Sequence, residues 1–209
     1  MESMSRSERA ALCNTALHAG EQAPTLCGDW TVKDLVIHLL VRERDPLGAP
    51  GILIPPLEKL TERSARRLHG QDFTALVERV RGGPPRWSPL SLPPLEKAVN
   101  TLEYFVHHED IRRASPGWLP RELTEREQRT LWTTLGTAGK GLVRSAGVPV
   151  EIRWEDRSAV LRRGEDPAVI SGPPSELVMF VFGRDEHTGL ELTGPEAHLA
   201  RLRGAELGL

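Results

Sequence analysis

Two segments of the sequence place histidine and carboxylate side chains at spacings suited to binding a cation. In segment 100–110, Glu103 and His107 are four residues apart, and Asp110 follows three residues later. On a helix these three side chains lie along one face, where Glu103 and His107 offer two ligands to one divalent ion. Asp110 can then accept a hydrogen bond from the ring nitrogen of His107 that faces away from the ion. The pattern predicts a metal site that needs a further ligand from another helix.

His38 is the candidate for that third ligand. It is the one polar residue in the apolar stretch 35–41, and a helix that is apolar on nearly every side lies inside a fold. A buried imidazole needs a partner, and a metal ion is one such partner. The set His38, Glu103 and His107 leaves at least one coordination position for water or substrate, as catalytic metal sites do.

The same residues also have simpler interpretations, which the sequence leaves open. His38 can be a core histidine bonded to a backbone carbonyl, and Glu103 with His107 can be an exposed pair on one helix. With 7 histidines and 29 acidic residues in 209, about one acidic residue stands four positions before a histidine by chance, so the spacing alone is a weak signal. His108 is predicted to face solvent.

Sequence signals at helix starts indicate which elements carry these side chains. Thr31 and Asp34 have capping-box spacing at the start of a helix that begins at Val32. Ser5 and Glu8 have the same spacing in front of an earlier apolar pattern. We therefore expect one helix in front of the His38 segment and a second helix that contains it.

Further helical periods follow along the chain. An apolar stripe runs through the second histidine segment and consists of Leu95, Val99, Leu102 and Val106. Residues 57–80 form another helix or a broken pair of helices, and residues 125–144 carry a helical period interrupted by three glycines. Four or more helices joined by loops predict an up-down four-helix bundle.

The hydrophobic period changes near Gly147 from helical spacing to alternation. Val150, Ile152 and Trp154 alternate with charged residues, a pattern typical of a half-buried strand, and further short strands and helices follow. The sequence thus predicts a mainly α protein with two domains, a helical bundle of residues 1–146 and a small α+β domain of residues 147–209.

Composition excludes several classes of function. The chain is 39% hydrophobic and 27% charged, with a mean hydropathy of -0.34, which is typical of globular proteins. Its net charge of -2 lacks the positive excess expected of a nucleic-acid-binding protein. Its apolar runs are far shorter than the roughly 20 residues that span a membrane. Phosphate-binding loops and serine-hydrolase elbows are absent from the sequence.

The two cysteines, Cys13 and Cys27, are too few for a disulfide framework and lack the spacing of a zinc knuckle. Both are predicted to be small buried apolar groups, with a reactive or ligating thiol as the alternative. The N-terminal residues do not resemble a signal peptide, so the predicted location is the reducing cytoplasm. The predicted partners are small molecules rather than nucleic acids or membranes.

Together the two histidine segments resemble the N-terminal domain of the mycothiol-dependent maleylpyruvate isomerase family, within the DinB/YfiT-like superfamily. Residues 26–39, LCGDWTVKDLVIHL, resemble its opening motif, and residues 103–112, EYFVHHEDIR, resemble its second motif, Glu-x-x-x-His-x-x-Asp. Residues 41–52 and 175–184 resemble an uncharacterised metal-binding subfamily of that group. The resemblance covers nearly the whole chain, and the motifs occur in the family's order.

This resemblance implies a DinB-like four-helix bundle that holds a divalent ion, zinc or else nickel, on His38, Glu103 and His107, with Asp110 supporting the site. It also implies that the ion activates the thiol of a mycothiol-type cofactor, because a metal lowers a thiol's pKa and makes the thiolate available at neutral pH. The predicted activity is a metal-dependent thiol S-transferase or isomerase. Its partners would be a small-molecule thiol and an electrophilic substrate.

Other classes of function stay open at this point. The same fold can serve as a non-catalytic metal-binding or sensing module, in which the ion mainly holds the helices together, or as an interaction module without metal. A second copy of the chain, in a homodimer, is a further candidate partner. The family contains isomerases, other thiol transferases and members without a known substrate, so its ligand set does not select a reaction.

Overall fold

The chain divides into two compact units, Met1–Leu119 and Pro120–Leu209, in a computed structural model that describes residues 3–52, 54–88, 91 and 100–208. Among these residues the first unit is helical, and the second combines helices with a four-stranded sheet. The expectation of a mainly α protein with a small sheet is therefore confirmed. The up-down four-helix bundle stays a prediction.

The first unit contains five α-helices and two short 3-10 turns in its described part. The helices are α1 (Met4–Ala19), α2 (Val32–Arg44), α3 (Glu58–His69), α4 (Phe73–Arg81) and α5 (Thr101–Arg113), and the 3-10 turns are Ala49–Ile52 and Pro55–Leu57. Helix α1 packs against α5, α4 and α2, and α2 also packs against α3 and α4. The apolar side chains of α1, α2 and α4 thus share one core, which contacts α5 through Tyr104 and Ile111.

The start of α2 is as the sequence predicts. Thr31 Oγ1 accepts a hydrogen bond from the backbone N–H of Asp34, and the carboxylate of Asp34 accepts one from the backbone N–H of Thr31. This reciprocal pair satisfies two of the N–H groups that a helix leaves open at its start. The apolar side chains of residues 35–41 are then buried at 1% exposure or less, so α2 lies inside the unit.

The predicted capping box at Ser5 and Glu8 is wrong. Helix α1 begins at Met4, one residue after its N-cap Ser3, so both residues stand within the helix. Their side chains are buried, and the carboxylate of Glu8 contacts a histidine of α5. Of the predicted apolar stripe through the second histidine segment, Leu95 and Val99 lie outside the described residues.

The second unit is built around a mixed four-stranded sheet. The elements in chain order are α6 (Glu125–Leu142), β1 (Val150–Trp154), β2 (Arg157–Arg162), β3 (Ala168–Ser171), α7 (Pro174–Val181), β4 (Glu191–Thr193) and α8 (Glu196–Arg203). The strand order in the sheet is β2-β1-β3-β4, in which β1 pairs antiparallel with β2 and parallel with β3, and β3 pairs antiparallel with β4. Alternate residues of β1 are buried, as the sequence predicts.

The boundary between the compact units lies before helix α6, whereas the change of hydrophobic period predicts a domain boundary after it. Helix α6 packs against strand β2 and helix α7, which belong to the second unit. A helical period identifies a helix but does not identify the surface that its apolar face covers. Within the described residues, no helix combines the length and apolar character that crossing a bilayer requires.

Candidate metal centre

The fold brings His38 of α2 together with Glu103 and His107 of α5. Each residue offers one ligand atom that lies within 4.8 Å of those of the other two. The rings of His38 and His107 meet edge to face with their centroids 5.2 Å apart, and Nε2 of His107 lies 3.5 Å from Oε2 of Glu103. Glu103 and His107 are only 9% and 8% exposed, so the alternative of an exposed pair is wrong.

Helix α5, which carries Glu103 and His107, is buried although many of its side chains are ionisable. Twelve of its thirteen residues are buried, and they include the ionisable side chains Glu103, His107, His108, Glu109, Asp110 and Arg113. A buried polar group without a partner costs free energy, so such a helix requires partners on several sides. Helix α2 and the loop before it supply partners on one side of α5, and helix α1 supplies them on another.

Asp110 fixes the orientation of the His107 ring. Nδ1 of His107 and Oδ2 of Asp110 are 2.9 Å apart, and the Asp110 side chain is fully buried. Glu103 and Asp110 lie on α5 about one turn before and one turn after His107, so each ring nitrogen of His107 has a carboxylate neighbour. A histidine ligand held in this way presents its second nitrogen in a fixed direction.

The protonation states leave ligand atoms ready for a cation. Burial, together with the charge of His107, lowers the pKa of His38 to about 3, so this imidazole is neutral at neutral pH. Burial alone would raise the pKa of Glu103, but the hydrogen bond with His107 and the charge of Arg42 hold it at about 2. The result is one neutral imidazole beside one carboxylate.

His107 has the opposite shift. Burial alone would lower its pKa, but hydrogen bonds with Asp110, Cys27 and Glu103 raise the pKa well above its ordinary value. The imidazolium therefore holds one proton on each ring nitrogen, and the proton on Nε2 occupies the direction of Glu103. A cation that binds between these residues replaces that proton.

Arg42 belongs to the site although the sequence analysis did not select it. Its Nε lies 3.6 Å from Oε2 of Glu103, and its Nη1 donates to Oδ1 of Asn100 at 2.9 Å. Among the described residues its Nη2 has no hydrogen-bond partner. The available signal was its position one turn after His38 on the same helix face.

Cys27 also lies next to the site, although the sequence analysis predicted it to be a small buried apolar group. Its thiol donates a hydrogen bond to Oδ2 of Asp110 at 3.0 Å and lies 3.9 Å from Nδ1 of His107. For Cys27 the prediction of a purely apolar group is therefore wrong. Cys13 is fully buried, as predicted, and its burial raises the thiol pKa to about 12, although its S–H lies 3.7 Å from the carbonyl oxygen of Val77.

Trp30 packs against the ring of His38. The Trp30 and His38 ring centroids are 5.2 Å apart, with the ring planes tilted by 47°. The indole is 40% exposed, whereas Glu103 and His107 are buried. Trp30 therefore gives the site an apolar, solvent-facing edge next to His38.

His108 is buried rather than solvent-facing, so that prediction is wrong. Its Nε2 lies 2.9 Å from Oγ1 of Thr15 and its Nδ1 lies 2.9 Å from Oε2 of Glu8. Thr15 and Glu8 are seven residues apart on α1, and this spacing puts them on one helix face. Helix α1 covers the side of α5 that the sequence analysis predicted to be exposed to solvent.

Comparison with known proteins identifies the fold. No protein-family model matches the sequence, and no curated protein matches it. The structure is similar to a crystal structure of the mycothiol-dependent maleylpyruvate isomerase, with a TM-score of 0.54 and 15% identity over 91% of this chain and 90% of that chain. A mutant of that isomerase with one histidine replaced by alanine gives a TM-score of 0.56 and 14% identity at the same coverage. The chain thus has the fold of a thiol-dependent isomerase.

Proposed function

We propose that this protein is a metal-dependent enzyme that uses a low-molecular-weight thiol of the mycothiol type, as an S-transferase or an isomerase of a small electrophile. The observation that carries the proposal is the cluster of His38, Glu103 and His107, with ligand atoms within 4.8 Å of one another. The shared fold supports the choice of thiol, since the similar isomerase is mycothiol-dependent. On this proposal the first unit is a DinB-like four-helix bundle.

The donor set fits a divalent ion of the zinc type. Two imidazole nitrogens and one carboxylate are ligands that zinc prefers, and nickel is the alternative ion for the same donors. His38 is neutral and Glu103 is anionic at neutral pH, as ligands must be. Three protein ligands leave at least one position for a thiol or water, an arrangement typical of catalytic sites.

The surrounding charges favour a thiolate at that open position. Once His107 has given up its Nε2 proton to make room for the ion, Glu103 and Asp110 contribute two negative charges and Arg42 contributes one positive charge, so the protein groups sum to -1. A divalent ion would bring this sum to +1, and its chemical contribution would be to lower the pKa of a coordinating thiol. A net positive, largely buried site stabilises the thiolate, which is the nucleophile, over the thiol.

The protein side chains have distinct tasks in this proposal. Asp110 holds the His107 ring, and Arg42, itself bonded to Asn100, keeps Glu103 ionised. Trp30 offers an apolar surface beside His38, against which a conjugated electrophile can lie. On this proposal these side chains position the thiol and the electrophile next to the ion.

Elemental analysis of the purified protein tests the metal site. We expect about one ion per chain in the wild type and in the control His18→Ala, whose side chain is exposed. We expect His38→Ala and His107→Ala to lose stoichiometric metal. Full metal content in either of these two variants, at unchanged helical content, would refute the assignment.

A thiol-transfer assay tests the activity. The metal-loaded protein is incubated with a panel of thiols that includes mycothiol and with small electrophiles. As the control, a chelator removes the ion and zinc is then added back. Loss and recovery of turnover support the enzyme. If turnover is absent and chelation instead strongly lowers the melting temperature, the ion is structural and the alternative of a non-catalytic metal-binding module is favoured.

A further inference from the structure

We propose that Cys27, Asp110 and Nδ1 of His107 form a second cation site, specific for a thiophilic ion such as Cd²⁺ or Cu⁺. We further infer that an ion bound there excludes an ion bound through Nε2 of the same ring. The ligand set itself follows from geometry alone, whereas its competition with the first site rests on the proposed function.

The geometry of the three donor atoms is that of a compact metal-binding triangle. Oδ2 of Asp110 lies 2.9 Å from Nδ1 of His107 and 3.0 Å from Sγ of Cys27, and the sulfur lies 3.9 Å from Nδ1. Around a tetrahedral zinc ion, with bonds of about 2.0 Å to nitrogen or oxygen and about 2.3 Å to sulfur, neighbouring donors are about 3.3 to 3.6 Å apart. The three donor–donor distances at Cys27, Asp110 and His107 lie within about half an ångström of this reference.

The chemistry of the two sets differs in one respect. The set with Glu103 and His38 offers nitrogen and oxygen, whereas the set with Cys27 adds a thiolate. Thiolate ligands select soft and borderline ions over Mg²⁺ and Ca²⁺, which prefer oxygen. A thiophilic ion is therefore expected to select the cysteine side of His107.

The loop that carries Cys27 is held in place before any ion binds. The backbone N–H of Leu26 donates to the carbonyl oxygen of Asp110 at 3.1 Å. Thr25 Oγ1 accepts from the N–H of Cys27 and donates to the carbonyl oxygen of Trp30. Cys27 is also partly exposed.

Exclusion follows from the proton count on the imidazole. Binding forms one bond from the ion to sulfur, one to Nδ1 and one to a carboxylate oxygen, while the S–H proton and the Nδ1 proton leave to solvent. A neutral imidazole that coordinates through Nδ1 keeps its remaining hydrogen on Nε2, which then has no lone pair to offer. That N–H points to Glu103, 3.5 Å away, where the first site needs a ligand. A thiophilic ion thus acts as an inhibitor that removes His107 from the catalytic set.

Cadmium titration of the full-length protein, stripped of metal with chelator, tests the ligand set. The readout is the ultraviolet charge-transfer absorption of a cadmium–thiolate bond. We expect it to saturate at one Cd²⁺ per chain in the wild type, in Cys13→Ala, whose thiol is buried elsewhere, and in His38→Ala. It should be lost in Cys27→Ser. Absence of the band in the wild type, or its persistence in Cys27→Ser, would overturn the proposal.

A second titration, of zinc-loaded protein, tests the exclusion. Growth of the cadmium–thiolate band should parallel zinc release one for one, so that the total never exceeds one ion per chain. Two ions bound together would overturn the exclusion. Failure of the proposed function gives a different result. If His38→Ala retains zinc, the first site is wrong, but the cadmium–thiolate band can still be compared between the wild type and Cys27→Ser.

Discussion

Nδ1 of His107 donates a hydrogen bond to Oδ2 of Asp110 across 2.9 Å, within a single turn of α5. The same oxygen accepts the S–H of Cys27, so one carboxylate connects the loop before α2 with the imidazole. The opposite ring nitrogen of His107 faces Glu103. Asp110 is therefore the residue that orients the His107 ring and helps to keep the pKa of that ring raised.

Replacing Asp110 with asparagine tests this role. Asp110→Asn keeps the shape of the side chain but removes its charge, and we expect zinc affinity to fall about 10- to 100-fold, as for other partners of histidine ligands. Competition with a chromogenic chelator measures the change. Asp29→Asn is the matched control, because Asp29 is exposed on the adjoining loop. Equal affinities of Asp110→Asn and the wild type would contradict the role.

The pH dependence of metal binding distinguishes the two histidines. The pKa of His107 is raised well above its ordinary value because its hydrogen bonds with Asp110, Cys27 and Glu103 outweigh burial, so a proton must leave before an ion binds. Burial lowers the pKa of His38 to about 3, so His38 releases none above that pH. Zinc affinity should therefore rise with pH, about tenfold per unit for one displaced proton. Chelator competition between about pH 5 and pH 7 measures this slope. A roughly hundredfold rise in zinc affinity per pH unit, which corresponds to two displaced protons, would mean that His38 also titrates in this range.

Arg42 should control the acidity of a bound thiol. Removing its positive charge in Arg42→Gln takes away stabilisation of the thiolate, so the pH–rate profile of thiol transfer should shift upward by on the order of one unit. Arg42→Lys retains the charge and should shift the profile less. The profile of kcat at saturating thiol gives the comparison. An unchanged profile in Arg42→Gln would exclude an electrostatic role.

The buried contact of Tyr104 with Glu43 should contribute to stability. The Tyr104 hydroxyl donates to Oε1 of Glu43 at 2.5 Å, and both side chains are almost fully buried. Tyr104→Phe leaves this carboxyl oxygen without its donor and should lower the free energy of unfolding by about 1–3 kcal/mol. Urea denaturation measures the loss. Adding Glu43→Leu should recover part of it, because the pair is then apolar on both sides. A Tyr104→Phe variant as stable as the wild type would show that the bond makes no net contribution.

Local patterns in the sequence were sufficient to predict several structural features. The reciprocal contact of Thr31 with Asp34, the burial of residues 35–41 and the alternation in β1 all follow from neighbours within one or two turns or pleats. The line of Glu103, His107 and Asp110 along one helix face is local in the same sense. These features are determined by backbone geometry, which repeats every 3.6 residues in a helix and every two residues in a strand.

Other features depended on which surfaces pack together. His108 is buried because Glu8, 100 residues away in sequence, covers its side of α5. Cys27 contacts Asp110 across 83 residues, and α6 joins the second unit through its contact with β2. A helical period states that a face is apolar or polar, but it does not state what covers that face.

The sequence by itself therefore determined the helices around the site, the strand pattern of β1 and the spacing of Glu103, His107 and Asp110 along α5. Only the tertiary structure decided that His38 meets Glu103 and His107, that Arg42 and Cys27 adjoin them, and that His108 is buried. The physical reason is that these contacts join residues distant along the chain, whose approach is specified by the packing of whole helices and not by any local propensity.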